Sequence, residues 1–340
     1  MALNSVCIGN FKGISGTQEL PIKPITVFIG PNSSGKSSTI HALAALAQTI
    51  NLPNNTRPLI LDDQFAYVHL GRFIEIIHSK KYTDSMILGI AGGAVRAHVR
   101  MPQGISTVQG QPSATYAFGS TRRTQDIFLK SADVRLADRT YAVRRQKNGR
   151  LSLAIGQTGA SMGVELSGGF LIERPAVPSR ERFLELQPLF LAQRTIEREL
   201  RSTLYLGPFR EPPQRRYPTR GSAPREVGPR GEATVTLLAN EMVQSKGRIH
   251  ARQVSTWFDM LGIAKTLGVS RVGSSDLFDV NITLQDGAKF PLADLGYGFS
   301  QILPVAHAAK LRAGRVHASF RATGTSPTCA GCAAPSWRFY

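Results

Sequence analysis

Gly30-Pro31-Asn32-Ser33-Ser34-Gly35-Lys36-Ser37, continued by Ser38-Thr39-Ile40, is the stretch on which the reading of this chain turns. It follows the pattern G-x-x-x-x-G-K-[ST]. Upstream, Ile25-Thr26-Val27-Phe28-Ile29 is short, apolar and β-branched, and predicts a buried strand. Downstream, residues 36–49 carry Ile40, Leu43, Leu46 and several alanines at helical spacing. Strand, glycine loop and helix in that order form the context in which the pattern has chemical meaning.

The glycines allow a tight turn and bring main-chain N–H groups close to phosphate oxygens, while the helix start adds a favourable dipole. The cradle comprises Gly30, Asn32, Ser33, Ser34, Gly35 and Lys36, with Ser37 and Ser38 opening the helix. Lys36 is placed to reach β- and γ-phosphates as a point charge, and the Ser37 hydroxyl to meet a Mg²⁺ ion.

A chain of 340 residues, 42% hydrophobic and 19% charged, is long and apolar enough for one large domain or two. No basic start leads into an apolar run, and no apolar stretch approaches membrane-spanning length, so a soluble, unexported protein with no membrane partner is expected. Three cysteines, Cys7, Cys329 and Cys332, make no disulfide framework, which suits the cytoplasm. Cys329-Ala330-Gly331-Cys332 lacks a second pair, and His317 is the other ligand type nearby, too few for a zinc site. The net charge of +18 invites a polyanion such as DNA or RNA. Five of those charges (Lys310, Arg312, Arg315, Arg321, Arg338) follow Asp294, after which no acidic residue occurs, leaving +13 for the rest.

Along the chain, residues 3–8 predict a first strand, and Asn10-Phe11-Lys12-Gly13-Ile14 turns it into a second. Residues 84–156 are strand-like, with hairpins expected at Gly92-Gly93 and at Asn148-Gly149. Residues 179–205 have helical spacing that Pro188 should kink or split. Residues 207–231 hold six prolines and six arginines, Arg210, Arg215, Arg216, Arg220, Arg225 and Arg230, and predict an exposed loop. A nucleic-acid contact and a merely solvated basic loop are equally consistent with that composition. Helices follow over 232–246 and 254–261. An alternating strand over 278–284 precedes a turn at Asp286-Gly287.

A second constellation, Gly296-Tyr297-Gly298-Phe299-Ser300-Gln301, stands before a helical pattern. Alone it reads as a turn or as a weak anion site. Together with residues 10–14 and 30–37, it makes the chain resemble the ATPase head of the RecF/SMC/OLD group, ABC-type P-loop ATPases often classed as AAA domains. Tyr67-Val68-His69-Leu70-Gly71 and Tyr205-Leu206-Gly207-Pro208-Phe209-Arg210-Glu211-Pro212 are similar to stand-alone ATPases related to OLD-type nucleases. The resemblance covers residues 1–305.

The resemblance implies an α/β P-loop NTPase with an ABC-type head: a mixed sheet with an antiparallel β subregion and a helical subregion. The head would span 1–310, with a P-loop lobe over 1–165 and a helical, signature-bearing lobe over 166–310, followed by an aberrant tail over 311–340. ATP and Mg²⁺ are the implied cofactors, with Ser37 holding the metal. A homodimer through the heads is implied, in which Gly296, Gly298, Ser300 and Gln301 reach nucleotide in trans. DNA and a nuclease or other protein are implied as further partners, in DNA repair or phage defence. Binding without turnover, and nucleic-acid binding with a vestigial nucleotide site, are the alternatives.

The chain departs from the family pattern at one place. The acidic strand that would assist hydrolysis belongs about twenty residues after Ser300. Val316-His317-Ala318-Ser319-Phe320-Arg321-Ala322-Thr323 stands there instead, without a carboxylate, so no catalytic residue is assigned. Codons permitted for residues 321–333, read one nucleotide later, can spell Glu-Gln-Pro-Glu-Leu-His-Pro-Arg-Ala-Gln-Ala-Ala. The expectation is that a frameshift after about residue 310 replaced the acidic strand. Resequencing the locus checks this, and finding no open frame that encodes such a strand counts against it.

Overall fold

A computed structural model describes residues 3–53, 55–156, 161–173, 179–218, 224, 226–243 and 249–320. The chain divides into two compact units, Met1–Tyr205 and Leu206–Tyr340. Of the tail expected over 311–340, residues 311–320 are helical and residues 321–340 lie outside the described residues.

In the first unit, β1 (Ser5–Gly9) and β2 (Gln18–Pro21) precede α1 (Lys36–Asn51) and the single-turn α2 (Phe73–Ile76). The strands β3 (Met86–Ala91), β4 (Val95–Met101), β5 (Gly104–Gly110), β6 (Ser113–Ser120), β7 (Ile127–Leu136), β8 (Arg139–Arg145), β9 (Leu151–Ile155) and β10 (Ser161–Val164) follow. A short pair, β11 (Leu166–Ser167) and β12 (Leu171–Ile172), leads to α3 (Arg180–Glu185) and α4 (Gln187–Arg201). Eight strands form one sheet in the order β10-β9-β8-β7-β6-β3-β1-β2. Every strand pair among the described residues is antiparallel.

Alternation builds the core of this unit. Tyr116 and Phe118 on β6, Val134 and Leu136 on β7, Tyr141 and Val143 on β8, and Leu153 on β9 point to one face and are fully buried. Tyr116 packs against Phe170 with ring centroids 4.4 Å apart, and desolvation pushes its phenol pKa well up. Tyr141, whose phenol is pushed up to about 12 mainly by burial, donates its hydroxyl hydrogen to the Glu185 carbonyl at 3.0 Å. The alanine-rich face of α1 (Ala42, Ala44, Ala45, Leu46, Ala47) joins this core. Small side chains let the helix approach the sheet closely.

Several expectations hold. Asn148-Gly149 closes the β8–β9 hairpin with Gly149 at φ 84°, and Pro188 lies in the first turn of α4, separating it from α3 at Leu186. Two expectations fail. No hairpin forms at Gly92-Gly93, because β3 pairs with β1 and β6 while β4 pairs only with β5. The Gly92 N–H bonds the Pro112 carbonyl at 2.8 Å, so the chain leaves the sheet there and turns back at residues 102–103 instead. Nor is residues 25–29 a buried strand. It joins no ladder, and Ile25, Val27 and Ile29 are 66%, 71% and 89% exposed. A doubly buried strand needs a neighbour on each side, and β2 is the last strand at that edge of the sheet. The mixed sheet expected from the resemblance therefore has no parallel pair among the described residues.

The second unit begins in the Pro/Arg-rich segment, whose described residues are irregular apart from β13 (Tyr217–Pro218). Next come α5 (Thr234–Val243), α6 (Ile249–Met260), β14 (Thr266–Arg271), β15 (Leu277–Thr283), β16 (Lys289–Pro291) and α7 (Tyr297–Phe320). β15 pairs with β13, β14 and β16, and Phe278, Val280 and Ile282 alternate into a core with Phe258, Leu303 and Ala306. Gly231 has to be glycine: its φ is 73°, and a Cβ there would stand 2.5 Å from Pro304 in α7. Arg215 grips Asp294 through both guanidinium ends, at 2.6 and 3.1 Å.

The contrast between residues 25–29 and α1 is testable. Leu46→Ala, at a fully buried site, should cost about 2–5 kcal/mol. Ile29→Thr should stay within about 0.5 kcal/mol of wild type. Urea unfolding followed by circular dichroism distinguishes them, and equal costs would show that residues 25–29 are packed in solution.

Candidate nucleotide-binding site

Residues 30–38 form one continuous loop and helix start. Gly30 has φ 156°, Ser33 φ 63° and Gly35 φ 92°, so the chain repeatedly visits conformations that curl main-chain N–H groups inward. Gly30 also answers a steric need, since a Cβ there would lie 2.9 Å from the Ser34 hydroxyl oxygen. Gly35 is the N-cap of α1 and supplies no side-chain cap. The first turn contains no acidic residue, leaving uncapped N–H groups at the positive end of a sixteen-residue helix.

Lys36 shows what the loop lacks. Its ammonium donates to the Gly30 and Pro31 carbonyls at 2.7 and 2.6 Å and reaches the Ser34 hydroxyl oxygen at 3.5 Å. These are main-chain and hydroxyl oxygens of the loop itself, with no carboxylate to neutralise the charge. Uncapped amides and a cation bonded only to neutral oxygens suit a polyanionic phosphate chain. Ser37, one residue on, is exposed at the helix start. Its hydroxyl would be the group to hold a Mg²⁺ ion.

The segment 10–14 underlies this loop. Phe11 is fully buried and bridges to both Ile14 and Ile77, and the Ile14 side chain lies beneath Gly35. Asn10 and Lys12 flank it at φ 51° and 48°. Asn10 ties the turn to residues 79 and 85, donating to the Ser85 carbonyl at 3.0 Å and accepting from the Ser79 N–H at 2.9 Å. Lys12 is thereby aimed at α1, where its ammonium meets His41 Nδ1 at 3.0 Å. Burial lowers the pKa of Lys12. Burial first, and the Lys12 charge second, lower that of His41, which accepts from the lysine as a neutral ring. Sequence reasoning missed His41. Its position five residues after Lys36 on the same helix was the available signal.

The signature-like residues lie in the second unit. Gly296 and Gly298 are exposed at the start of α7, Gln301 is half-buried, and Ser300 is only 6% exposed. Ser300 borders a cavity of about 110 Å³ shared with Glu211, Tyr217, Arg230, Thr234 and Pro304. Residues 316–320, where the resemblance implies an acidic strand, belong to α7. Among the described residues, no group of three or more His, Cys, Asp or Glu could hold a metal ion, and no helix is long and apolar enough to cross a membrane.

Residues 1–113 match the family described as AAA ATPase domain. The match takes in β1, the 10–14 turn, the loop and α1, and it points to an ATP-binding ATPase. No curated protein matches the chain.

The Lys12–His41 contact fixes a pH dependence. A histidine whose pKa is lowered by folding stays neutral in the folded chain, while the unfolded chain takes up its proton near 6.5. The contribution is complete above that value and is lost as pH falls below it. Thermal melts across this range should show wild type losing more stability on acidification than His41→Gln, which does not titrate. Parallel losses would remove His41 as the cause.

Proposed function

We propose that the chain binds Mg²⁺-ATP through residues 30–38, as a head of the RecF/SMC/OLD class of ABC-type ATPases spanning residues 1–310. The observation that carries this reading is the Lys36 ammonium resting on the Gly30 and Pro31 carbonyls above uncapped α1 amides. When the triphosphate arrives, Lys36 exchanges those carbonyls for β- and γ-phosphate oxygens. The N–H groups of residues 32–36 would meet the remaining oxygens, and Ser37 would help to hold a Mg²⁺ ion, which would supply charge neutralisation. Lys12 and His41 keep the first turns of α1 in position beneath the loop.

The finer placement follows from the resemblance. In a homodimer of heads, Gly296, Gly298, Ser300 and Gln301 of one copy would close on the nucleotide of the other. DNA and a nuclease or other protein are the proposed partners, in cytoplasmic DNA repair or phage defence.

A second reading, ATP binding without turnover, is favoured by one observation. No aspartate or glutamate follows Asp294, and residues 316–320 are helical. Hydrolysis needs a group that orients and polarises the attacking water, and the site described has no carboxylate in that role.

Titration with a fluorescent ATP analogue tests binding. Lys36→Ala removes a charge-assisted contact and should weaken affinity by about one to two orders of magnitude. Unchanged affinity would sink the proposal. Phosphate release by wild type in Mg²⁺-ATP separates the two readings: turnover that Lys36→Ala abolishes excludes the second.

A further inference from the structure

The ribbon of β4 and β5 stands outside the eight-stranded sheet. Its register places Arg96 opposite Gln109, His98 opposite Thr107 and Arg100 opposite Ile105, so these six share one face, and all are exposed. The other face carries Val95, Val99, Met101 and Val108, all buried, and β4 packs against α3 and α4. One face anchors the ribbon and the other is offered to solvent.

The offered face is cationic and hydrogen-bonding. No carboxylate occurs between Asp84 and Asp126, and among the described residues neither Arg96 nor Arg100 forms an ion pair. His98 Nδ1 and the Thr107 hydroxyl lie 3.1 Å apart, fixing the central pair. Exposed Arg135 extends the positive surface where β7 runs beside Ser113, at the ribbon's base. The carboxylates of Asp138 and the buried Glu199 belong to that base and not to the tip, where Arg100 stands.

Dimensions and composition select the partner. Two strands about 4.8 Å apart fit a major groove about 12 Å wide. Arg96 and Arg100 are about 13 Å apart along the strand, enough to reach separate phosphates. Residues 92–112 contain no Phe, Tyr or Trp, and the His98 ring is held against Thr107, so the ribbon has no large ring on which to stack single-stranded bases. The deep, narrow major groove of duplex RNA does not admit such a ribbon.

We infer that the exposed face of the β4–β5 ribbon is a contact surface for double-stranded B-form DNA. Arg96 and Arg100 take phosphates or guanine edges, and Gln109 and Thr107 face base edges. This assignment is independent of nucleotide binding and of the Pro/Arg-rich segment.

The test is fluorescence anisotropy with a labelled DNA duplex two helical turns long, without nucleotide, over a salt series. Wild type should prefer the duplex to a single strand and to an RNA duplex. Arg96→Ala with Arg100→Ala should weaken binding at least about tenfold and reduce the slope of log affinity against log salt by about 1.8, the loss of two phosphate contacts. Arg122→Ala with Arg123→Ala, exposed at the opposite end of β6, should bind as wild type. If the first pair fails to fold by circular dichroism, Arg96→Gln with Arg100→Gln reads the same loss of charge. Absence of duplex binding, preference for single strands or RNA, or equal losses in the 96/100 and 122/123 variants would overturn the assignment.

Discussion

The burial of α1 is the constraint from which the rest of the first unit follows. Nearly every residue from Ala42 to Ile50 is inaccessible, and the two polar ones, Gln48 and Thr49, are fully hydrogen-bonded. The Gln48 amide donates to the Ile60 carbonyl at 2.7 Å, and its oxygen accepts from the Val68 N–H at 3.0 Å. The Thr49 hydroxyl donates to the Ala45 carbonyl at 2.7 Å and accepts from the Ile60 N–H at 2.9 Å. Leaving either partner unmade in this interior would cost about 1–3 kcal/mol. The C-terminal half of the helix is therefore bolted to residues 60–68 and the sheet, while its N-terminus emerges into solvent. A loop attached to that end inherits a fixed direction, and the Lys36 ammonium pins its Gly30 and Pro31 carbonyls from within.

This explains why the loop was legible and some of its surroundings were not. Glycine at positions 30 and 35, lysine at 36 and the alanines of the helix are local requirements, and local requirements leave local marks. Asn148-Gly149 and Pro188 behaved in the same way, because turn chemistry and the missing proline N–H act within a few residues. Residues 25–29 misled because β-branched composition reports what a segment could bury, whereas burial depends on a neighbour from elsewhere in the chain. Gly92-Gly93 misled for a related reason: the Pro112 carbonyl, twenty residues later, decides where the chain goes. His41 was marked only by its place on the helix after Lys36, since its role depends on the left-handed turn at Lys12 that aims the ammonium at it.

The two motifs differ in how far local structure carries them. The glycine loop and helix start of residues 30–38 take their shape within nine consecutive residues. The signature-like residues present exposed glycines at the start of α7 but keep Ser300 inside their own unit, so the backbone is the part of that motif open to a ligand. The match over residues 1–113 includes the first motif and ends well before the second.

Residues 25–29 also govern how the molecule behaves among its own copies. Ile25, Val27 and Ile29 form an exposed aliphatic row with no charge from Pro24 through Gly35 and with backbone groups outside any ladder. Read antiparallel about Val27, the segment is self-complementary, with Ile25 meeting Ile29 and Thr26 meeting Phe28. An exposed, uncharged aliphatic segment of this kind favours association between chains. The large positive charge opposes it at long range, and added salt screens that repulsion. Colloidal stability is thus set by a contest between an exposed aliphatic segment and a repulsive surface, and crowding the molecules together favours the segment.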